Sequence, residues 1–223
     1  MSGLIALNQS TEVATLEEKM LKELVGGGNY LPRIQLYTGA SGICKSGDFP
    51  NNHWGFVKEK DKIEDLGDTV EVIPLSWRFK ALDLRNGDVL SYFDAALPVW
   101  KEIRALSLVE DSNCMAGTEV LLWLTEKSEF ATLFAYNKST LKEVPKLINL
   151  INQAATLGSV FVKNKKDVKK SFQAPTFNES TTPVASLPDA DEANEQIERF
   201  KSAKDSVVTK ATEGESKATS RVQ

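Results

Sequence analysis

Trp77, Arg78, Phe79 and Lys80 alternate two large rings with two cations. Side chains along a β-strand point to opposite faces in turn. In an extended stretch the rings therefore share one face and the cations the other. Rings stack on bases without reading sequence, and guanidinium and ammonium groups neutralise phosphates. The chemistry open to these four residues is the binding of a polyanion. An ordinary half-buried strand shows the same alternation.

Charge is unevenly spread along the chain. Its 223 residues carry 27 Lys and Arg against 31 Asp and Glu, a formal net charge of −4. That balance argues against a uniformly basic coat, but steering depends on where the charge lies. Between 138 and 172, Lys138, Lys142, Lys146, Lys163, Lys165, Lys166, Lys169 and Lys170 face only Glu143 and Asp167, a local +6. Between 188 and 200, Asp189, Asp191, Glu192, Glu195 and Glu198 face Arg199 alone, a local −4. A basic body with an acidic segment beyond a linker can associate with itself, and a polyanion would compete with that segment. The rings fall mostly on predicted strands, and a β core needs most of them inside. Tyr37, Trp54, Trp77 and Tyr92 stand next to charge or turns and are the candidates for an exposed minority.

Signatures of catalysis are missing. The one histidine, His53, with Cys44 and Cys114 does not supply the close Cys/His spacing of a zinc site. No P-loop, nucleophile elbow, zincin motif or dinucleotide fingerprint is present. Glu64, Asp65, Asp68 and Glu71 could hold a hard cation, but the first three lie in a charge-dense stretch that reads as an exposed turn, and a solvated loop is the simpler reading of the cluster. The expectation is no catalytic residue, no metal and no cofactor. Two cysteines are too few for a disulfide scaffold and read as reduced thiols of a cytoplasmic protein. The first residues lack a basic leader, and no window reaches the roughly 18 apolar residues of a membrane span.

The elements that must position these residues follow from periodicity and punctuation. Residues 1–28 read as an arm with a short helix closed by Gly26, Gly27 and Gly28. Residues 33–37, 53–57 and 69–84 read as strands, the last the longest in the chain. Asn86-Gly87 predicts a hairpin that returns 89–93 beside it. A helix over 97–108 opens with Pro98, and strands follow at 119–124 and 130–136. A helix over 141–152 and strands at 156–162 and 167–173 complete the domain. Residues 176–223 read as a Pro/Ser/Thr linker, a short acidic helix over 189–200 and a disordered tail. The expected class is mainly β with helices. A helix between the third and fourth strands is the order of a Greek-key β-barrel of the oligonucleotide-binding (OB) type, here over 29–175 with an added C-terminal helix and strands.

The segments LGDTVEVIPLSWRFKALDL, CMAGTEVLLWL and FATLFAYNKST resemble a group of phage and viral single-stranded DNA-binding proteins, over about residues 30–175. That resemblance implies sequence-independent binding of single-stranded DNA in phage-type replication and recombination. It also implies that an acidic segment ending in an aromatic, here 189–200 with Phe200, docks replication proteins. On this reading Arg33, Lys45, Arg78, Lys80 and Arg85 line a strand-borne groove with the four candidate rings. Lys163, Lys165, Lys166, Lys169 and Lys170 extend it. The competing reading is a non-catalytic structural or interaction protein of a virion, built as a β-sandwich. A third is a small nucleic-acid-processing enzyme that uses the acidic cluster.

Overall fold

The structure is a computed structural model that describes residues 31–39, 41–59, 62–85, 90–109, 111–136, 138–152, 159–166, 172–179 and 186–202. The predicted N-terminal arm, the Asn-Gly turn, the linker at 180–185 and the tail from 203 onward lie outside the described residues. The strands are β1 (Arg33–Tyr37), β2 (His53–Glu59), β3 (Lys62–Asp65), β4 (Thr69–Asp83), β5 (Leu90–Tyr92), β6 (Cys114–Leu124), β7 (Glu129–Ala135), β8 (Ser159–Lys166) and β9 (Phe172–Glu179). The helices are α1 (Gly42–Lys45), α2 (Pro98–Leu106), α3 (Lys138–Leu141), α4 (Val144–Asn152) and α5 (190–202).

One mixed sheet carries all nine described strands, in the order β3-β2-β1-β7-β6-β4-β8-β9, with β5 beside β4. Its single parallel contact is β1 with β7, and Thr132 there donates its amide to Pro32 O at 2.7 Å. The fold is thus mainly β, as expected, but the described sheet is open: β3 and β9 end the order and no pair joins them. A Greek-key barrel would keep the long third strand beside β2. Here β4 pairs with β6, β8 and β5 instead. The charge-dense stretch expected as a turn contains β3, which pairs with β2 as a short, mostly exposed edge strand. Charged side chains on such an edge discourage pairing with other chains.

β4 organises the sheet because it contacts three strands. Its N-terminal part, Thr69–Val72, pairs with β8, and its C-terminal part, Ala81–Asp83, pairs with β5. Along its other edge it runs against β6, with a bulge between Pro74 and Ser76. Proline removes a ladder donor, and a bulge is where a sheet tolerates that loss. The extra residue changes which side chains face which way. Val70 and Val72 share a core with Trp77, whereas Ile73 packs on the opposite face with Trp123.

Helices cover the first face in two places. α4 seats Val144 and Leu147 among Val72, Val120, Leu122, Leu133 and Phe177. α2 seats Trp100 and Ile103 on Ala81, Tyr92, Cys114 and Ala116. The helix predicted over 141–152 is two pieces, with Lys142 and Glu143 in a turn between them. Pro145 is the second residue of α4, where its missing N–H does no harm but where it bars a continuous helix from α3.

The opposite face is crossed by residues 186–202. Ser186 accepts the Trp123 Nε1 hydrogen at 3.3 Å on Oγ and donates that hydroxyl to Thr125 O at 2.6 Å. Asp189 caps α5 by accepting the amides of Asp191 and Glu192 at 3.0 and 3.1 Å. Ala193 then packs with Ile73, Trp123 and Phe130, and Phe200, seven residues later on the same side of the helix, is buried as well. The acidic helix expected beyond a linker is therefore laid against the sheet. The sheet itself continues through β9 to Glu179, past the predicted boundary at 175.

Gly117 gives a direct test of the β6–β7 contact. A Cβ there would collide with the Ala135 carbonyl oxygen and lie 2.8 Å from Tyr136 Cα. Backbone, not a flexible side chain, blocks it. Gly117→Ala should cost about 3 kcal/mol, the upper part of the overpacking range, read as a lower urea midpoint at unchanged slope.

Candidate functional site

The predicted division of β4 into a ring face and a cation face is present, and the cation face is occupied. Arg78 and Lys80 point to the side on which Glu119 of β6 stands, and Glu119 is the register partner of Arg78. Arg78 donates to Glu119 Oε2 from Nε at 2.7 Å and from Nη2 at 2.6 Å. Lys80 Nζ donates to Oε1 at 2.9 Å. Glu119 is 4% exposed and Lys80 6%.

Aromatic rings enclose this cluster. The Arg78 guanidinium lies 3.9 Å from the Phe93 ring centre and 4.0 Å from that of Phe200. Its Nη1 donates to the Phe200 carbonyl, near the C-terminal end of α5, where the helix dipole favours a cation. Lys80 Nζ lies 5.4 Å from the Phe134 ring centre. Burial alone would push the Glu119 carboxyl up, but Lys80 and Arg78 outweigh it and hold the group below its ordinary value of 4.5.

Arg85 is engaged in the same manner. Its Nε and Nη2 donate to the two oxygens of Asp83 at 2.9 and 2.7 Å, and its Nη1 donates to Glu102 of α2 at 3.1 Å. Arg85 holds Asp83 below its usual range. Cys114, 4.0 Å from Asp83, is a free buried thiol whose pKa is raised first by burial and then by Asp83.

The remaining nominated residues are scattered. Tyr37 is buried against Phe49 at 5.0 Å, Trp54 is buried with Phe56 in the main core, and Tyr92 is buried under α2. These three are core rings and offer no open face, because each lies on the inward side of a strand that a helix or loop covers. Arg33 is half-buried in β1, and Lys45 is exposed in the single turn of α1. Lys163, Lys165 and Lys166 lie in β8, while Lys169 and Lys170 lie outside the described residues. Among the described residues, the nominated side chains are not gathered in one place.

Two further features bear on ligand binding. The first is a ledge of rings where the two helix-covered cores meet. Phe79, 40% exposed, touches Trp77 edge-on at 5.3 Å and Trp100 of α2 at 5.7 Å. The guanidinium of Arg104 stands 5.5 Å from the Trp100 ring centre. Trp100 and Arg104 were not singled out as site residues, and Phe79, read as one of the two rings of the β4 alternation, was not placed in the expected groove. The signal that could have found them is present in the sequence, in Phe79 two residues after Trp77 and Arg104 four after Trp100.

The second feature is the β8–β9 ribbon. Its pairing with β4 ends at Val162, and the pairs Lys163↔Pro175 to Lys166↔Phe172 join β8 to β9 alone. Residues 163–170 carry five lysines and one aspartate.

Among the described residues no group of three or more His, Cys, Asp or Glu side chains could hold a metal ion, and no helix is long and apolar enough to cross a membrane. Within the predicted acidic cluster, the Asp65 carboxylate lies 2.9 Å from His53 Nδ1 and accepts its hydrogen in the Nδ1–H tautomer, and Glu64 pairs with Lys127. No protein-family model, curated protein or solved structure matches the chain.

Removing Glu119 would leave two buried cations facing each other. Glu119→Ala should cost about 3–5 kcal/mol, the range for breaking a buried pair, measured by urea unfolding at neutral pH. The pH dependence has a fixed sign. Because the Glu119 and Asp83 carboxyls are held below their ordinary values of 4.5 and 3.8, their contributions are complete above those values. They are lost as pH falls through the lower folded values, so acid should destabilise the wild type from about pH 4.5 downward and Glu119→Ala less. Phe200→Ala should speed amide exchange over 190–202 while leaving the β6–β7 amides protected.

Proposed function

We propose that this protein is a non-catalytic, sequence-independent binder of single-stranded DNA, acting in phage-type replication and recombination in the cytoplasm. The observation that carries the reading is the lysine-rich ribbon. Lys163, Lys165 and Lys166 stand on the part of β8 that has parted from β4, and Lys169 and Lys170 follow in the chain. Lysines along a ribbon neutralise successive phosphates and release counterions, which gives affinity without sequence preference. The reading needs no closed barrel. It also relocates the contact, since Arg78, Lys80 and Arg85 are committed to carboxylates within the fold.

The acidic face of α5 is the proposed contact for replication partners. Asp191, Glu192, Glu195 and Glu198 are exposed while Phe200 is held in the sheet. A partner would therefore meet carboxylates and not the ring.

The test is fluorescence anisotropy of a labelled oligo(dT) of ~30 nucleotides at two salt concentrations, with duplex as competitor. Salt-sensitive binding that duplex competes away poorly is expected. Reversing Lys163, Lys165, Lys166, Lys169 and Lys170 to Glu should flatten the salt slope by up to about 3.5, at about 0.7 per phosphate contact on single strands. No binding at low salt would overturn the reading, and large assemblies in a sizing experiment would then favour a virion component.

A further inference from the structure

Phe79 is the one ring among the large hydrophobic side chains that stand exposed in the described residues. It sits within a strand whose neighbouring positions Ala81, Leu82 and Asp83 are buried, so its exposure is local. Nor is the ring loose. It is wedged between the edges of Trp77 and Trp100, with interplanar angles of 86° and 65°. A ring held edge-on by two neighbours keeps a fixed orientation, so a planar partner stacks on it at little cost in side-chain freedom. Helix α2 adds two exposed cations, Lys101 and Arg104, of which Arg104 stands over the Trp100 ring.

We propose that Phe79, braced by Trp77 and Trp100, is a stacking seat for a nucleobase, with Lys101 and Arg104 of α2 receiving the adjoining phosphate. The seat lies apart from the lysine ribbon. β8 runs antiparallel to β4, so Lys163 lies past the Thr69 end of β4. Ten residues of strand separate Thr69 from Phe79, about 33 Å at the usual rise. The ribbon therefore supplies phosphate contacts at one end of β4, and the ledge supplies base contact towards the other. This inference rests on the single-stranded DNA reading given above and says which side chain makes that binding depend on bases.

The experiment compares two labelled oligonucleotides of equal length and equal phosphate number, one oligo(dT) and one fully abasic, binding to the full chain at low salt. Wild type should prefer oligo(dT), with quenching of tryptophan emission from Trp77 and Trp100. Phe79→Ala should weaken oligo(dT) binding about tenfold, within the range for losing one stacked base, and leave abasic binding unchanged. Phe79→Trp should restore the preference. A circular-dichroism melt of both variants checks that the fold is retained, which exposure at this position favours. Binding by Phe79→Ala with the full wild-type preference for bases would overturn the seat while leaving the DNA reading intact. Wild type that binds neither oligonucleotide would take both down. If a protein ligand but no oligonucleotide protected Phe79 and Trp100 from solvent, the ledge would be a protein-docking surface and the proposal would fall.

Discussion

The carboxylate of Glu119 lies near the middle of the sheet, between two cations on the adjacent strand. Each oxygen has its own partner, and the ring faces of Phe93 and Phe200 close off water around Arg78. In so enclosed a place a lone charge is costly, and the three groups are tolerable only together. A slip of β4 against β6 by one residue would move Arg78 and Lys80 to the other face and leave the carboxylate alone. The cluster therefore fixes the register of the two longest strands in the molecule. It also gives α5 its anchor, because the guanidinium that serves Glu119 reaches the Phe200 carbonyl as well.

This arrangement divides the molecule by role. One face of β4 spends its charge internally and is closed by α5. The other is covered by α2 and α4 but left open at Phe79. Among the described residues, α2 carries two exposed cations, Lys101 and Arg104.

Much of the strand framework was legible in the sequence because it is local. The alternation in Thr69–Asp83 and the Pro98 start of α2 each lie within a few residues. Asp189 was readable as the start of an acidic helix for the same reason. The pairing order was not legible, since nothing near Arg33 announces a parallel partner at Thr132. Nor were the partners of the cations. Arg78 is 41 residues from Glu119 and 122 from Phe200, and Arg78 and Lys80 appear as a basic pair only while those partners are unknown. The rings were misplaced for a related cause. Tyr37, Trp54 and Tyr92 stand beside polar residues in sequence but face inward, because alternate residues of one strand occupy different environments.

The parallel β1–β7 contact also shapes how the chain acquires its structure. β1, β2 and β3 can join as soon as they are made, but the far side of β1 waits for a strand 100 residues later, measured from Pro32 to Thr132. At ordinary rates of synthesis that interval is about 5–20 s. Through it the three-stranded ribbon carries an open edge with Ile34 and Leu36 upon it, and closing so long a loop is slow on a folding timescale. On a ribosome the β1–β3 unit thus carries a vacant strand position, and the lifetime of that state is set by translation of β7 rather than by its own stability.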